Sequence, residues 1–226
     1  MYKFNEAEMG YAFEQAILQS NILQSCKFNF LNKEIASYQG IPDFVAMRIH
    51  NNNIINLGED NLLSLESSAK VLACLKVYAG RTERYIKNNT DLSDGMLKKV
   101  LRELLEYNYI KKQDGLYYLY LYNKVKVDIW AFELKLEDWK RALFQALQYR
   151  AFADYSVTVF PSEKENLLKS NIELFDKFNI GVLVFNVKNK KCKWLNRPKK
   201  KEPISKWQKL YMLFKLNMLN KKGANL

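Results

Sequence analysis

The stretch WAFELK, residues 130–135, is an apolar strand that carries two opposite charges. Alternate side chains of a β-strand share one face, so we expect Glu133 and Lys135 to point the same way, about 7 Å apart along the strand. A carboxylate and an ammonium are costly to bury on such a strand unless each has a partner. The stretch therefore predicts either a structural ion pair or a metal site, in which the carboxylate holds the ion and the lysine acts on a water or phosphate oxygen.

A second carboxylate begins another apolar strand. The segment GIPDFVAM, residues 40–47, predicts a turn that leads into a buried strand, with Asp43 directly after a proline. Together with residues 133–135, it resembles the PD…(D/E)xK signature of the restriction-endonuclease-like superfamily of nucleases. The resemblance implies an α/β fold with a mixed central sheet flanked by helices. It also implies a Mg²⁺ cofactor, for which Mn²⁺ can substitute.

The resemblance assigns roles to four positions. Asp43 and Glu133 would be catalytic residues and metal ligands, and the backbone carbonyl of Leu134 would complete the coordination shell. Lys135 would be the catalytic lysine, which positions or deprotonates the attacking water and offsets developing charge.

Two helices are expected to contribute further residues to this centre. The sequence QALQY, from Gln145 to Tyr149, matches the QxxxY motif of the RecB-like branch of the family, and its two end residues share one helix face. Both are candidate catalytic residues, with ordinary helix surface and core packing as the alternative. Members of the family commonly add a glutamate from the first helix. Glu14 ends a Gly-x-x-x-Glu pattern similar to that of archaeal junction resolvases and is the preferred metal ligand, with Glu6 in reserve.

The long spacing between the two acids predicts an insertion. Asp43 and Glu133 are 90 positions apart, farther than the family usually places them. Between them, residues 62–121 predict three short helices and a two-stranded hairpin with an Asp-Gly turn, which resembles a winged helix-turn-helix. Removing this segment leaves a spacing of 30. We therefore predict four parts: a nuclease core divided between residues 1–61 and 122–196, the winged helix at 62–121, and a basic linker with a C-terminal amphipathic helix at 197–226.

Strands and helices alternate after residue 123, which predicts an α/β layer. The expected strands are residues 127–136, 155–160 and 180–187, and the expected helices are residues 137–150 and 162–178.

The net charge of +12 comes entirely from the C-terminal end of the chain. Residues 188–226 contain 13 of the 36 basic residues and one of the 24 acidic residues, so the rest of the chain holds 23 of each. Such a tail indicates either a polyanionic partner, usually nucleic acid, or simple solubilisation. Its final helix is expected to pack on the nuclease core, to clamp phosphates or to lie on a membrane surface.

Candidate nucleic-acid contacts follow from the family resemblance and from this charge. The third helix of a winged helix usually enters the major groove, and lysine and arginine supply the phosphate contacts. The candidates lie on that helix, in the hairpin and in the basic linker: Lys98, Lys99, Arg102, Lys111, Lys112, Lys199, Lys200 and Lys201.

Several other chemistries are excluded by composition. His50 is the only histidine, which rules out a Ser-His-Asp triad and an HExxH metalloprotease. Three scattered cysteines predict neither a disulfide framework nor a zinc site. Without an apolar leader or a membrane-length apolar run, we expect a cytoplasmic protein with no membrane partner.

The sequence thus predicts a Mg²⁺-dependent DNA endonuclease, directed to its substrate by an inserted winged helix. RNA remains open as a substrate, because the metal chemistry is the same. Pairing of two active sites in a homodimer would suit double-strand cutting. The alternative is a non-catalytic winged-helix regulator or scaffold with a nuclease-like domain.

Overall fold

The computed structural model describes residues 4–19, 28–50, 65–120 and 127–223. The chain forms two compact units. The first, here called the sheet unit, comprises residues 1–50 and 127–204, and the second, the hairpin unit, comprises residues 51–126 and 205–226. The predicted boundaries at residues 61/62 and 121/122 lie outside the described residues.

The helices and strands follow one another in this order: α1 (Glu6–Gln19), β1 (Phe30–Lys33), β2 (Phe44–Ile49), α2 (Glu66–Cys74), α3 (Glu83–Asn88), α4 (Asp94–Glu106), β3 (Ile110–Gln113), β4 (Leu116–Leu119), β5 (Val127–Leu134), α5 (Trp139–Tyr149), β6 (Tyr155–Pro161), a 3-10 turn (Ser162–Lys164), α6 (Glu165–Lys169), α7 (Ile172–Lys177), β7 (Gly181–Asn186), β8 (Lys191–Asn196) and α8 (Lys206–Gly223).

A mixed six-stranded sheet organises the sheet unit, in the order β1-β2-β5-β6-β7-β8. The strands β5, β6 and β7 are parallel, while β1, β2 and β8 run antiparallel to their neighbours. Parallel neighbours need crossover connections, and helices supply them here: α5 joins β5 to β6, and α6 with α7 join β6 to β7. This confirms the predicted α/β fold with a mixed sheet flanked by helices.

The pleat of β5 separates two faces of the sheet. All eight of its residues are buried. Phe132 and Leu134 belong to a core cluster that also contains Met9 and Phe13 of α1. Glu133, between them in sequence, points to the opposite face, where α5 packs. Apolar side chains of α5 cover that face together with residues of β6 and β7: Ala142, Leu143, Ala146, Phe160, Val182 and Val184.

The segment predicted as one helix over residues 162–178 is broken into a 3-10 turn, α6 and α7. The break falls at Ser170 and Asn171, whose side chains donate to the backbone carbonyls of Asn166 and Leu167. Such local side-chain bonds offer the backbone an alternative to a continuous helix. The prediction of a single helix was therefore wrong, and β8 was not predicted at all.

The predicted basic linker is not a free connection. Pro198 is buried and lies against Gly181. Lys199 exchanges backbone hydrogen bonds of 2.8 Å with the side chain of Asn179, and the amide of Lys201 donates to the carbonyl of Asp154 at 3.2 Å. Residues 197–204 are thus a strap fixed to the sheet unit.

The hairpin unit contains the predicted three helices and hairpin. Ser93 caps α4 by accepting from the amide of Met96, as its position before the helix suggested. The turn between β3 and β4 has positive φ at both Asp114 (51°) and Gly115 (74°), which is the two-residue hairpin turn that Asp-Gly favours. Arg81 pairs with Tyr117 in an isolated antiparallel bridge.

The C-terminal helix α8 differs from the prediction. Leu210 and Phe214 belong to the core cluster of the hairpin unit, whereas packing on the nuclease core had been expected. Met212 and Leu216, on another face of α8, are also fully buried, so α8 is not a one-sided amphipathic helix. Among the described residues, no helix is both long and apolar enough to cross a bilayer.

Candidate active site

The register between β2 and β5 sets the two predicted acids opposite each other. Phe44 pairs with Phe132 in this antiparallel ladder, so the next step places Asp43 across from Glu133, on the same face. Directly opposed residues have Cβ atoms about 4.5–5.5 Å apart. The Oδ2 atom of Asp43 also accepts a 2.6 Å hydrogen bond from the amide of Leu134. The structure thus brings together two acids that are 90 residues apart in sequence.

Glu133 is almost fully buried, with 2% of its side chain exposed. Its Oε2 accepts a 2.6 Å hydrogen bond from the hydroxyl of Tyr149. Its Oε1 lies 3.0 Å from the ammonium of Lys135. A buried carboxylate is tolerated when it has such partners, and both hold its orientation.

Lys135 lies among oxygen atoms. Its Nζ is 3.0 Å from the carbonyl of Leu134 and 3.7 Å from Oε2 of Glu6, in addition to its contact with Glu133. Burial by itself lowers the pKa of Lys135, but the hydrogen bond to Glu133 and the nearby acids outweigh it and raise that pKa. Lys135 is therefore a positive ammonium at neutral pH.

Asp43 has the opposite problem, because it is a carboxylate in a partly desolvated position beside another one. Burial first, and then the charge of Glu133, raise the pKa of Asp43 to about 6. The amide of Leu134 and the charge of Lys135 reduce this shift without cancelling it. A carboxylate that ionises this close to neutral pH gains strongly from a cation placed next to it.

The two glutamates of α1 occupy different environments. Glu6 reaches the centre, where its Oε1 accepts from the amide of Leu136 at 3.3 Å and its Oε2 faces Lys135. Glu14, the preferred candidate from the sequence, instead forms an ion pair with Lys33 at 2.5 Å. The structure therefore brings the reserve candidate to the site. The capping box in which Asn5 and Glu8 exchange hydrogen bonds sets the start of α1, and so places Glu6 in its first turn.

The helix α5 supplies both members of the QxxxY motif. Tyr149 has 1% of its surface exposed, and burial together with Glu133 raises the pKa of its hydroxyl. Gln145, one turn earlier, hydrogen-bonds Tyr149. Its Oε1 atom is buried without a hydrogen-bond partner among the residues that the structure describes.

The donor set suits a hard cation. Carboxylate and carbonyl oxygens from Asp43, Glu133 and Leu134 are the ligands that Mg²⁺ prefers, and Mg²⁺ commonly takes one or two carboxylates and leaves its other positions to water and substrate phosphate. No cluster of three or more His, Cys, Asp and Glu side chains arranged to hold a metal occurs within the described part of the chain. The site therefore fits an ion shared with a substrate better than a closed structural metal site.

The predicted nucleic-acid contacts are mostly exposed, but several have acidic partners. Lys99 and Arg102 lie 3.9 and 3.8 Å from Glu103 and Glu106, one turn further along α4. The other three candidates of the hairpin unit, Lys98, Lys111 and Lys112, are exposed, as are Lys199 and Lys201 of the strap.

Lys200 is held in a buried ionic cluster that sequence reasoning missed. Its ammonium lies 2.5 Å from Asp128, which is 2% exposed. The other oxygen of Asp128 is 2.6 Å from Nε2 of His50. Burial alone would raise the pKa of Asp128, but its bonds to Lys200 and His50 lower it. The available signal was an acid inside the apolar strand VDIWAFEL, which needs a partner as Glu133 does.

Comparisons with protein-family models, curated proteins and solved structures found no match to this chain. The resemblance to restriction-endonuclease-like nucleases therefore stays a prediction from sequence motifs, and the functional argument rests on the geometry of the site.

Proposed function

We propose that the chain is a metal-dependent nuclease that hydrolyses phosphodiester bonds of DNA. Its sheet unit would be a restriction-endonuclease-like core, and its hairpin unit an inserted winged helix. One observation carries the proposal: Asp43 opposes Glu133 on adjacent strands, and the ammonium of Lys135 lies 3.0 Å from Glu133.

A structural ion pair explains this arrangement less well. Glu133 and Lys135 would satisfy each other without a second acid. Asp43 adds a carboxylate whose pKa is raised to about 6 by burial and by Glu133, which is an electrostatic cost in the absence of a cation. Strongly shifted titratable groups gathered at one place are typical of functional sites.

In this proposal Asp43, Glu133 and the carbonyl of Leu134 hold Mg²⁺ or Mn²⁺. The bound ion would polarise the phosphate and lower the pKa of the attacking water. Lys135, as an ammonium, would stabilise negative charge on the phosphate and orient the water, a role that needs no loss of its proton. Tyr149 would keep Glu133 in position through its 2.6 Å hydrogen bond.

The hairpin unit supports a nucleic-acid substrate. The order of three helices followed by a hairpin, with Arg81 bridged to Tyr117, resembles a winged helix. Lys98 on α4 and Lys111 in the hairpin are exposed and would contact phosphates. The acidic partners of Lys99 and Arg102 favour a role in phosphate contact and positioning over base-specific recognition.

The direct test is a cleavage assay with Mg²⁺ or Mn²⁺ on supercoiled, linear and branched DNA. Wild type is compared with Glu133→Ala and Lys135→Ala, and Glu14→Gln serves as a control because Glu14 pairs with Lys33 outside the centre. Metal-dependent cutting by wild type and the control, with loss of cutting but retained DNA binding in both site variants, would support the proposal. Equal behaviour of all four proteins would refute it, and binding without cutting by wild type would favour the scaffold alternative.

A further inference from the structure

A stripe of exposed side chains runs along α5 beside the candidate centre. Arg141, Phe144, Gln145 and Gln148 are spaced at i, i+3, i+4 and i+7 and so share one face of the helix. Phe144 is 62% exposed, which is unusual for a large aromatic side chain in the middle of a helix packed on a sheet. The same helix carries Tyr149, whose hydroxyl binds Glu133.

The loop before Asp43 lies against this stripe. A Cβ placed on Gly40 would be 3.6 Å from the ring of Tyr149 and 4.0 Å from Oε1 of Gln148. The hydroxyl of Tyr149 is 3.3 Å from the carbonyl of Ile41. The loop exposes apolar side chains of its own, since Tyr38 and Ile41 are 66% and 57% exposed. We call the face formed by α5 and residues 38–41 the α5–loop surface.

We propose that the α5–loop surface binds unpaired nucleobases, with Phe144 as the stacking platform and Arg141 as a phosphate contact. The proposal rests on the proposed function and names its substrate class: single strands, or duplexes with a single-stranded tail or branch at the point of cutting. Exposed aromatic side chains bind bases of any sequence, because every base has a π face.

The location of the surface supports nucleic acid over other occupants. Phe144 precedes Tyr149 by five residues, or about 7–8 Å along the helix axis. A base stacked on Phe144 would therefore belong to a nucleotide close to the phosphate at Asp43 and Glu133. Bases inside a continuous duplex have both faces covered by their neighbours, so only unpaired nucleotides can use this surface.

Binding to labelled oligonucleotides tests the proposal separately from cutting. Fluorescence anisotropy is measured in Ca²⁺, which takes the same oxygen ligands as Mg²⁺, with gels to verify that the probes stay intact. The probes share one sequence and are a single strand, a blunt duplex and a tailed duplex, each made as DNA and as RNA. The variants are Phe144→Ala, Phe144→Leu and Phe144→Trp. Tyr11→Ala is the matched control, because Tyr11 is 65% exposed but lies on α1, across the sheet from α5.

We expect wild type to bind the single-stranded and tailed probes more tightly than the blunt duplex. Phe144→Ala should weaken binding of these two probes about 10-fold, as loss of one base–aromatic stack does, and leave the blunt duplex unchanged. Phe144→Trp should restore binding, Phe144→Leu should not, and Tyr11→Ala should behave as wild type. The DNA and RNA arms show which nucleic acid is preferred, and a Phe144 dependence in either supports the surface.

Equal binding of all three probes by wild type, or an equal effect of Phe144→Ala on all three, would overturn the proposal. So would full restoration by leucine, which has no π face. If single strands bind through Phe144 but Mg²⁺ produces no cutting, the nuclease proposal fails and this surface stands. If blunt duplex is cut normally by Phe144→Ala and no probe is preferred, the nuclease proposal stands and this one fails.

Discussion

The hydroxyl of Tyr149 donates a 2.6 Å hydrogen bond to Oε2 of Glu133, joining α5 to the central strand β5. Both groups are buried, with exposures of 1% each. Because Oε1 of the same carboxylate faces Lys135 at 3.0 Å, Glu133 is held from two sides, by a neutral donor and by a cation. The packing of a helix on the sheet thus fixes the orientation of the acid on which the proposed chemistry depends.

Replacing Tyr149 with phenylalanine should weaken both the fold and the proposed activity. The change leaves one oxygen of a buried carboxylate without its donor, which costs about 1–3 kcal/mol of unfolding free energy. Urea denaturation measures that loss, and we expect cleavage to fall with it by roughly 10-fold or more because Glu133 is less well oriented. Tyr11→Phe is the control, and a Tyr149→Phe protein with unchanged stability and cleavage would show that the hydroxyl does not position Glu133.

Neutralising Asp43 should stabilise the protein in the absence of metal. The pKa of Asp43 is about 6 in the folded chain against 3.8 for the model value, so the folded state holds the proton more tightly than the unfolded state. This stabilising contribution is fully present below about pH 4 and is lost as the pH rises through about 6.

Asp43→Asn should therefore match wild type near pH 4 and exceed its unfolding free energy by about 1–2 kcal/mol above pH 7, after allowance for partial solvent contact. Thermal unfolding in EDTA across this pH range measures the difference. A difference between the two proteins that does not change with pH would contradict the assigned environment of Asp43.

The two glutamates of α1 should separate in a metal-dependent assay. Glu6→Gln removes a negative charge that faces Lys135 at 3.7 Å, so we expect cleavage to fall several-fold and to require more Mg²⁺. Glu14→Gln removes only a partly exposed pair with Lys33, which is worth about 0–1 kcal/mol of stability, and should leave cleavage unchanged. The reverse pattern would indicate that Glu14 is the functional acid.

The turn before Asp43 should tolerate only glycine at position 40. Gly40 has a φ of +132°, in a region that side-chain-bearing residues avoid, while the space for a Cβ is ordinary. Gly40→Ala should cost about 1–3 kcal/mol of unfolding free energy through backbone strain and should reduce cleavage by shifting Asp43. Gly95→Ala in α4, where nothing lies within 4 Å of the added Cβ, is the control and should be neutral or slightly stabilising. Equal effects of the two substitutions would argue against a strained turn.

Sequence reasoning succeeded where the signal was local. The alternation in WAFELK predicted a strand with Glu133 and Lys135 on one face, and the Asp-Gly turn predicted the hairpin that the structure contains. A serine before an apolar helical pattern predicted the start of α4. Each of these depends on a few neighbouring residues, which short-range sterics and hydrogen bonds largely determine.

It failed where packing decided the outcome. The strand β8 was missed because its lysines suggested solvent, although lysine is common on the exposed edge of a sheet. The helix α8 was expected to be amphipathic, and only the folded chain shows it buried on more than one face. The choice of Glu6 or Glu14 depended on which end of α1 lies near Lys135, which no sequence pattern specified.

The central claim is that Asp43 and Glu133 together hold a divalent metal, and Mn²⁺ titration followed by electron paramagnetic resonance tests it most directly. Wild type should bind Mn²⁺ with an affinity that falls as the pH drops below about 6, where Asp43 takes up its proton. Asp43→Asn and Glu133→Gln should each abolish this binding, while Glu14→Gln retains it. Equal Mn²⁺ binding by wild type, Asp43→Asn and Glu133→Gln, or none by any of them, would contradict the claim.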